Sequence, residues 1–235
     1  YPPRFTLAST LEEANEMLKT RSFDLFIMMP AVENSAVFGY AKELKNLYPT
    51  VPVVLLTPFS SEVFHRLYHH EDFSAIDYVF SWLGETDLLL AIVKLLEDKM
   101  NVDADIKSVG VQVILFVENS IQFYSTILPY LYKHVFVQSR SFMTEALNEH
   151  EQMLRMRGRP KILLARNYEE AKELYDKYRR NVLGVVSDVR FEREGEIDAT
   201  AGLKLASYMR SKDRFLPIIL ESSEEEIGRA SCRER

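Results

Sequence analysis

Glu118, Asp188 and Ser222 each stand at the end of a short apolar run, and together they could carry phosphoryl chemistry. Asp188 closes Val182-Leu183-Gly184-Val185-Val186-Ser187, Glu118 follows the run 111–117, and Ser222 lies just past the run 217–220. Runs of this length, apolar at most positions on both faces, predict strands buried in a parallel sheet. In a doubly wound sheet, ligands and reacting groups collect outside the carboxyl ends of the strands. A carboxylate there costs desolvation energy unless something pairs with it. A Mg²⁺ ion shared by Glu118 and Asp188 supplies that pairing, because Mg²⁺ takes a few carboxylates, carbonyl oxygens and waters. With the ion bound, Asp188 could attack a phosphoryl donor and form an acyl phosphate. Ser222, one strand over, could hydrogen-bond the new phosphoryl group. The plain alternative is that Asp188 is an inert scaffold carboxylate.

The elements that must hold these residues alternate between strand and helix. Strands are predicted over 5–9, 24–29, 51–56 and 76–81, with helices over 11–19, 37–47, 61–70 and 87–99. Residues 101–110 are polar and lack a period, which predicts a linker. The pattern then restarts, with strands over 111–117, 162–165, 182–187 and 217–220 and helices over 121–133, 141–157, 168–178 and 200–210. Such alternation predicts α/β domains with helices on both faces of a parallel sheet. The expected organisation is a domain over 1–100, a linker over 101–110 and a second domain over 111–226. The halves echo each other: Leu11-Glu12-Glu13-Ala14 matches Tyr168-Glu169-Glu170-Ala171, and Pro52-Val53-Val54-Leu55-Leu56-Thr57 matches Pro217-Ile218-Ile219-Leu220-Glu221-Ser222.

Composition narrows the function classes. The chain has 235 residues, 47% hydrophobic and 27% charged, with a formal net charge of −6. That is a globular composition with room for about two small domains. The acidic balance argues against general nucleic-acid binding, which needs a positive surface. No apolar run approaches the ~20 residues of a membrane span. A single cysteine, Cys232, rules out a disulfide framework within the chain, and a cytoplasmic location is expected. The basic cluster Arg155, Arg157, Arg159 and Lys161 reads as a solvated helix end or a contact for an acidic partner. His65 and His69 have a metal-compatible spacing but no third ligand in view. Phe123, Tyr124, Tyr130 and Tyr132 read as core and interface filler. Residues 227–235 lack hydrophobic periodicity and translate one frame of a common sequencing-library adapter, so they are expected to be an artefact.

The second half resembles the receiver domain of two-component response regulators, and the resemblance extends over most of residues 1–226. It implies a flavodoxin-like, doubly wound parallel-sheet fold and phosphotransfer from a histidine kinase or phosphotransfer protein to Asp188. It assigns Glu118 to the acidic pair after the first strand, Asp188 to the phosphoacceptor and Ser222 to the hydroxyl switch position. The backbone carbonyl of Arg190 becomes the third Mg²⁺ ligand. Asn119 stands where the family has its second acid, and 193–200 is longer than the usual loop after the acceptor.

In the first half, Asp24-Leu25-Phe26-Ile27-Met28-Met29-Pro30 resembles the family's third strand and Met-Pro turn. No carboxylate lies between Asp24 and Glu33, so Met28 or Met29 takes the acceptor's place. The lysine place near Ser81-Trp82 is lost and only Thr57 remains, which makes this half a degenerate pseudo-receiver. Both domains are expected to be incomplete, the first lacking its first strand and helix, the second its last strand and helices. The stretch 153–164, with Glu118-Asn119-Ser120 before it, resembles the N-terminal region of large bacterial proteins fused to a phosphoenolpyruvate synthase or pyruvate, phosphate dikinase module. That resemblance implies a fused C-terminal enzyme module as partner. A phosphorylation-independent interaction or homodimerisation module is the other class.

Overall fold

The protein was described from a computed structural model covering residues 3–30, 36–57, 72–82, 84–143 and 158–222. The predicted helices over 61–70 and most of 141–157, the histidines at 65 and 69, and the residues 227–235 lie outside these. The chain divides into two compact units, one of residues 1–96 with 125–129, the other of residues 97–124 with 130–235.

The first unit runs α1 (Leu11–Thr20), β1 (Phe26–Met28), α2 (Ala36–Leu47), β2 (Val53–Thr57) and β3 (Tyr78–Ser81), followed by the first part of α3 (Thr86–Val109). Its three strands are parallel in the order β1-β2-β3. Every residue of β2 is buried, as its unbroken apolar run requires. Met28, Phe38, Leu44, Val53 and Leu55 form the core around it. The strand expected over 5–9 is not formed: residues 3–8 have no regular structure. They precede a capping box instead. Thr10 Oγ1 accepts from the Glu13 N–H at 3.1 Å, and the Glu13 carboxylate accepts from the Ser9 N–H at 2.7 Å.

The second unit contains β4 (Val113–Val117), α4 (Ile121–Met143), β5 (Lys161–Ala165), α5 (Tyr168–Tyr178), β6 (Val182–Asp188), the hairpin β7 (Phe191–Arg193) and β8 (Glu196–Asp198), α6 (Ala201–Lys212) and β9 (Ile218–Glu221). Its four-stranded parallel sheet has the order β5-β4-β6-β9. Numbered within the unit this is 2-1-3-4, the flavodoxin-like winding, so the expected fold class holds. Leu115, Val117, Leu163, Val185, Phe191 and Leu205 pack into one core. The echo between halves is physical: Asn167 Oδ1 accepts from the Glu170 N–H and the Glu170 carboxylate from the Arg166 N–H, both at 2.8 Å. This is the α1 capping box repeated at α5.

Two expectations are corrected. Residues 101–110 are not a linker: α3 continues to Val109, and its residues from Glu97 onward belong to the second unit. Asp98, Val102 and Asp105 are buried at i, i+4 and i+7, one helical face. Their partners explain why two of the three are acids. The Asp98 carboxylate, wholly buried, accepts from Arg159 Nη2 at 2.6 Å and Nη1 at 3.0 Å, from the Tyr132 hydroxyl at 3.0 Å and from the Ile162 N–H at 3.0 Å. Lys161 pairs with Asp105 at 2.7 Å. Arg159 and Lys161 are thus buried ion-pair partners and not a solvated helix end. Among the described residues, no helix is long and apolar enough to cross a membrane.

Candidate functional site

The register of the sheet decides which side chains meet at its carboxyl edge. Val117 of β4 pairs with Ser187 of β6, so Glu118 and Asp188 follow at the same level on adjacent strands. Asp188 itself pairs with Glu221 of β9, and Ser222 is the next residue. The sheet therefore sets Glu118, Asp188 and Glu221 along one edge, with Ser222 one step beyond. Of the sequence-predicted residues, Glu118 and Asp188 are brought together. Ser222 and Arg190 are exposed, Ser222 after β9 and Arg190 two residues past Asp188.

Glu118 is buried, and its carboxylate accepts from the Ser120 N–H at 2.8 Å. Burial pushes its acid form up to about 7, helped by the negative charges of Asp188 and Glu221 and opposed by the Ser120 and Asn119 N–H groups. Asp188 is half-buried. Burial raises it too, against the N–H groups of Val189 and Arg190 and the Arg190 charge, which favour the ionised form. The Val189 N–H reaches Asp188 Oδ1 at 2.7 Å. Glu221 is a contributor that sequence reasoning passed over. It was visible as an acid directly before Ser222, but only strand register shows that it sits opposite Asp188.

This donor set fits a hard divalent cation. Two carboxylates and nearby backbone carbonyls are the oxygens Mg²⁺ selects, and a carboxylate pushed up by burial and like charges is relieved by a cation. Among the described residues no three His, Cys, Asp or Glu side chains group to hold a metal by themselves. Backbone oxygen, such as the Arg190 carbonyl, and water would have to complete the shell.

The segment after Asp188 is a hairpin where an extended loop was expected. Glu194 and Gly195 both have positive φ, 56° and 84°, which suits a two-residue hairpin turn. The hairpin is pinned to the start of α5. Phe191 is fully buried, Glu192 bridges to Asn167, the Glu194 N–H donates to Glu169 at 3.1 Å, and the Arg193 guanidinium lies 5.0 Å from the Tyr168 ring centre.

Among the described residues, the matching register positions of the first unit carry no carboxylate. Met28 pairs with Leu55. Matching Thr57 to Ser222 makes Leu55 the counterpart of Leu220, which pairs with Ser187. Met29, which is 53% exposed, is then the residue at the Asp188 position, and Leu56 stands for Glu221. Thr57 is fully buried. No family model matches the chain, and no curated protein matches it either.

Proposed function

We propose that the second unit is a phosphoacceptor module of the receiver type, in which Asp188 takes a phosphoryl group. The observation that carries this reading is the register that sets the buried Glu118 beside Asp188 at the carboxyl edge of a 2-1-3-4 sheet. Glu118, Asp188 and the Arg190 carbonyl would hold Mg²⁺, which when bound neutralises the carboxylates and the incoming phosphoryl oxygens. Asp188 Oδ attacks phosphorus while the bond to the donor breaks. With a phosphohistidine donor, the imidazole nitrogen leaves with the electron pair and takes up a proton. The Val189 N–H orients the Asp188 carboxylate for this attack, and the Val189 and Arg190 N–H groups favour its ionised form against burial. Ser222 hydrogen-bonds the product phosphoryl group and passes its presence to β9.

The donor would be a histidine kinase or phosphotransfer protein, and the first unit would be non-catalytic. The resemblance over 153–164 makes a fused phosphoenolpyruvate- or pyruvate-binding module the element under control. The test is direct. The chain with Mg²⁺ and acetyl phosphate should gain one acid-stable, base-labile acyl phosphate. Asp188→Asn should abolish it, Glu118→Gln should weaken it, and Ser222→Ala should leave labelling but blunt any structural response. Normal labelling of Asp188→Asn, or none of the unsubstituted chain, would replace this reading with a phosphorylation-independent interaction module.

A further inference from the structure

Gly202, in the first turn of α6, touches the segment that carries Asp188 more closely than any side chain would permit. A Cβ built there would overlap the Asp188 carbonyl oxygen and lie 2.8 Å from Val189 Cα and 3.2 Å from the Asp188 carbonyl carbon. All three are backbone atoms, so no side chain can swing aside. The Gly202 N–H also donates to the Val189 carbonyl at 3.0 Å. On the opposite side, the Val189 N–H is shared between Asp188 Oδ1 at 2.7 Å and the Glu221 carbonyl at 3.1 Å. The peptide 188–189 is therefore held between α6 and β9, with Gly202 as its seat. The neighbouring glycine of this strand behaves differently: a Cβ on Gly184 would make an ordinary contact, 3.4 Å from the Pro217 carbonyl.

We propose that Gly202 is a positioning residue for the carboxylate site, fixing the 188–190 backbone that presents both the Asp188 carboxylate and the Arg190 carbonyl. This rests on the phosphoacceptor reading above. The physical reason is close approach: only a residue without Cβ lets the helix seat on the acceptor peptide. Adding one methyl must move the helix or the peptide by a sizeable fraction of an ångström. A misplacement of about 1 Å at a reacting group costs on the order of 10²-fold in rate.

The experiment compares Gly202→Ala with Gly184→Ala in the full chain, with acetyl phosphate and saturating Mg²⁺, well below both unfolding midpoints. Gly184→Ala reports what an added methyl does on the same strand where it meets only ordinary contacts. Gly202→Ala should slow acyl phosphate formation by about 10²-fold while Gly184→Ala stays within a few-fold of the unsubstituted chain. Equal rates in the two variants would overturn the role of Gly202 and leave the phosphoacceptor reading standing. No labelling of the unsubstituted chain would overturn both. Should Gly202→Ala fail to fold, amide exchange in the unsubstituted chain decides. Mg²⁺ with beryllofluoride, a phosphoryl mimic, should slow exchange of the Gly202 N–H at least tenfold, and an unchanged rate rejects the proposal.

Discussion

Asp98 offers the sharpest test of how the second unit is held together. Its carboxylate is wholly buried and collects two bonds from Arg159, one from the Tyr132 hydroxyl and one from the Ile162 N–H. Lys161 lies 3.8 Å away with its own partner, Asp105. Asp98→Ala removes the acceptor of all four bonds and strands the Arg159 guanidinium, which is only 8% exposed. Breaking a buried pair by deleting one partner costs about 3–5 kcal/mol, mostly the uncompensated charge. Against a domain stability of about 5–15 kcal/mol, that is enough to bring the unit near unfolding. Asp103 on the same helix is the internal control. Its pair with Lys177, at 2.9 Å, has both side chains more than half exposed, and it accepts one further bond from the Tyr178 hydroxyl at 2.9 Å, so losing both should cost at most about 2 kcal/mol. The assay is urea denaturation followed by hydrogen exchange in peptides from residues 111–222, because the single tryptophan, Trp82, lies in the first unit. A double variant, Asp98→Met with Arg159→Leu, should recover part of the loss, since it removes the stranded charge but still leaves the Tyr132 hydroxyl and the Ile162 N–H without their acceptor. If Asp98→Ala costs no more than Asp103→Ala, the residues from 97 onward are not integral to the second unit and the argument fails.

Two further outcomes follow from the site and the sheet edge. Glu118 holds its proton up to about pH 7 in the fold against 4.5 ordinarily, so between those values the folded state binds more protons and stability falls as pH rises. The loss amounts to about 3 kcal/mol. With metal chelated, Glu118→Gln should therefore be the more stable protein at pH 8 and nearly equal at pH 4 by urea midpoint, and parallel profiles would refute the shift. Ile219, 60% exposed on β9 at the margin of the described sheet, should drive association on heating. Ile219→Lys should suppress light scattering while changing stability by no more than about 0.5 kcal/mol, and unchanged scattering would count against that edge as the cause.

Much of this architecture was legible in the sequence because its strands are short, mostly apolar and punctuated. β2, β4, β5 and β6 fall where short runs rich in Val, Ile and Leu predict them, and Asp188 and Glu118 stand at strand ends as read. What was missed shares one cause, polar residues whose partners are distant in sequence. Asp103 and Asp105 of α3 read as part of a polar linker because their partners, Lys177 and Lys161, are distant in sequence. The hairpin β7–β8 was missed because each strand has only three residues, too few for a period to show. Glu221 drew no notice because its importance comes from register with Asp188, which no local pattern encodes. The strand expected over 5–9 failed for a related reason: its apolar residues Phe5 and Leu7 are exposed, and among the described residues no strand pairs with them.

The two units share local folding devices and differ at the residues of the sheet's carboxyl edge. Both retain the capping box at the helix that precedes or follows a strand, because a helix start without acceptors for its free N–H groups loses about 1 kcal/mol wherever it occurs. Both have a hydroxyl residue at the end of a strand, Thr57 as the last residue of β2 and Ser222 directly after β9. The carboxylates differ. A strand-end acid at the Asp188 position beside a buried Glu118 is destabilising without a cation, so it persists only where something offsets it. In the first unit the matching positions are Met29 and Leu56, apolar residues that carry no desolvation penalty at all. At Glu118 and Asp188 of the second unit burial carries that penalty, and a cation bound between them would offset it.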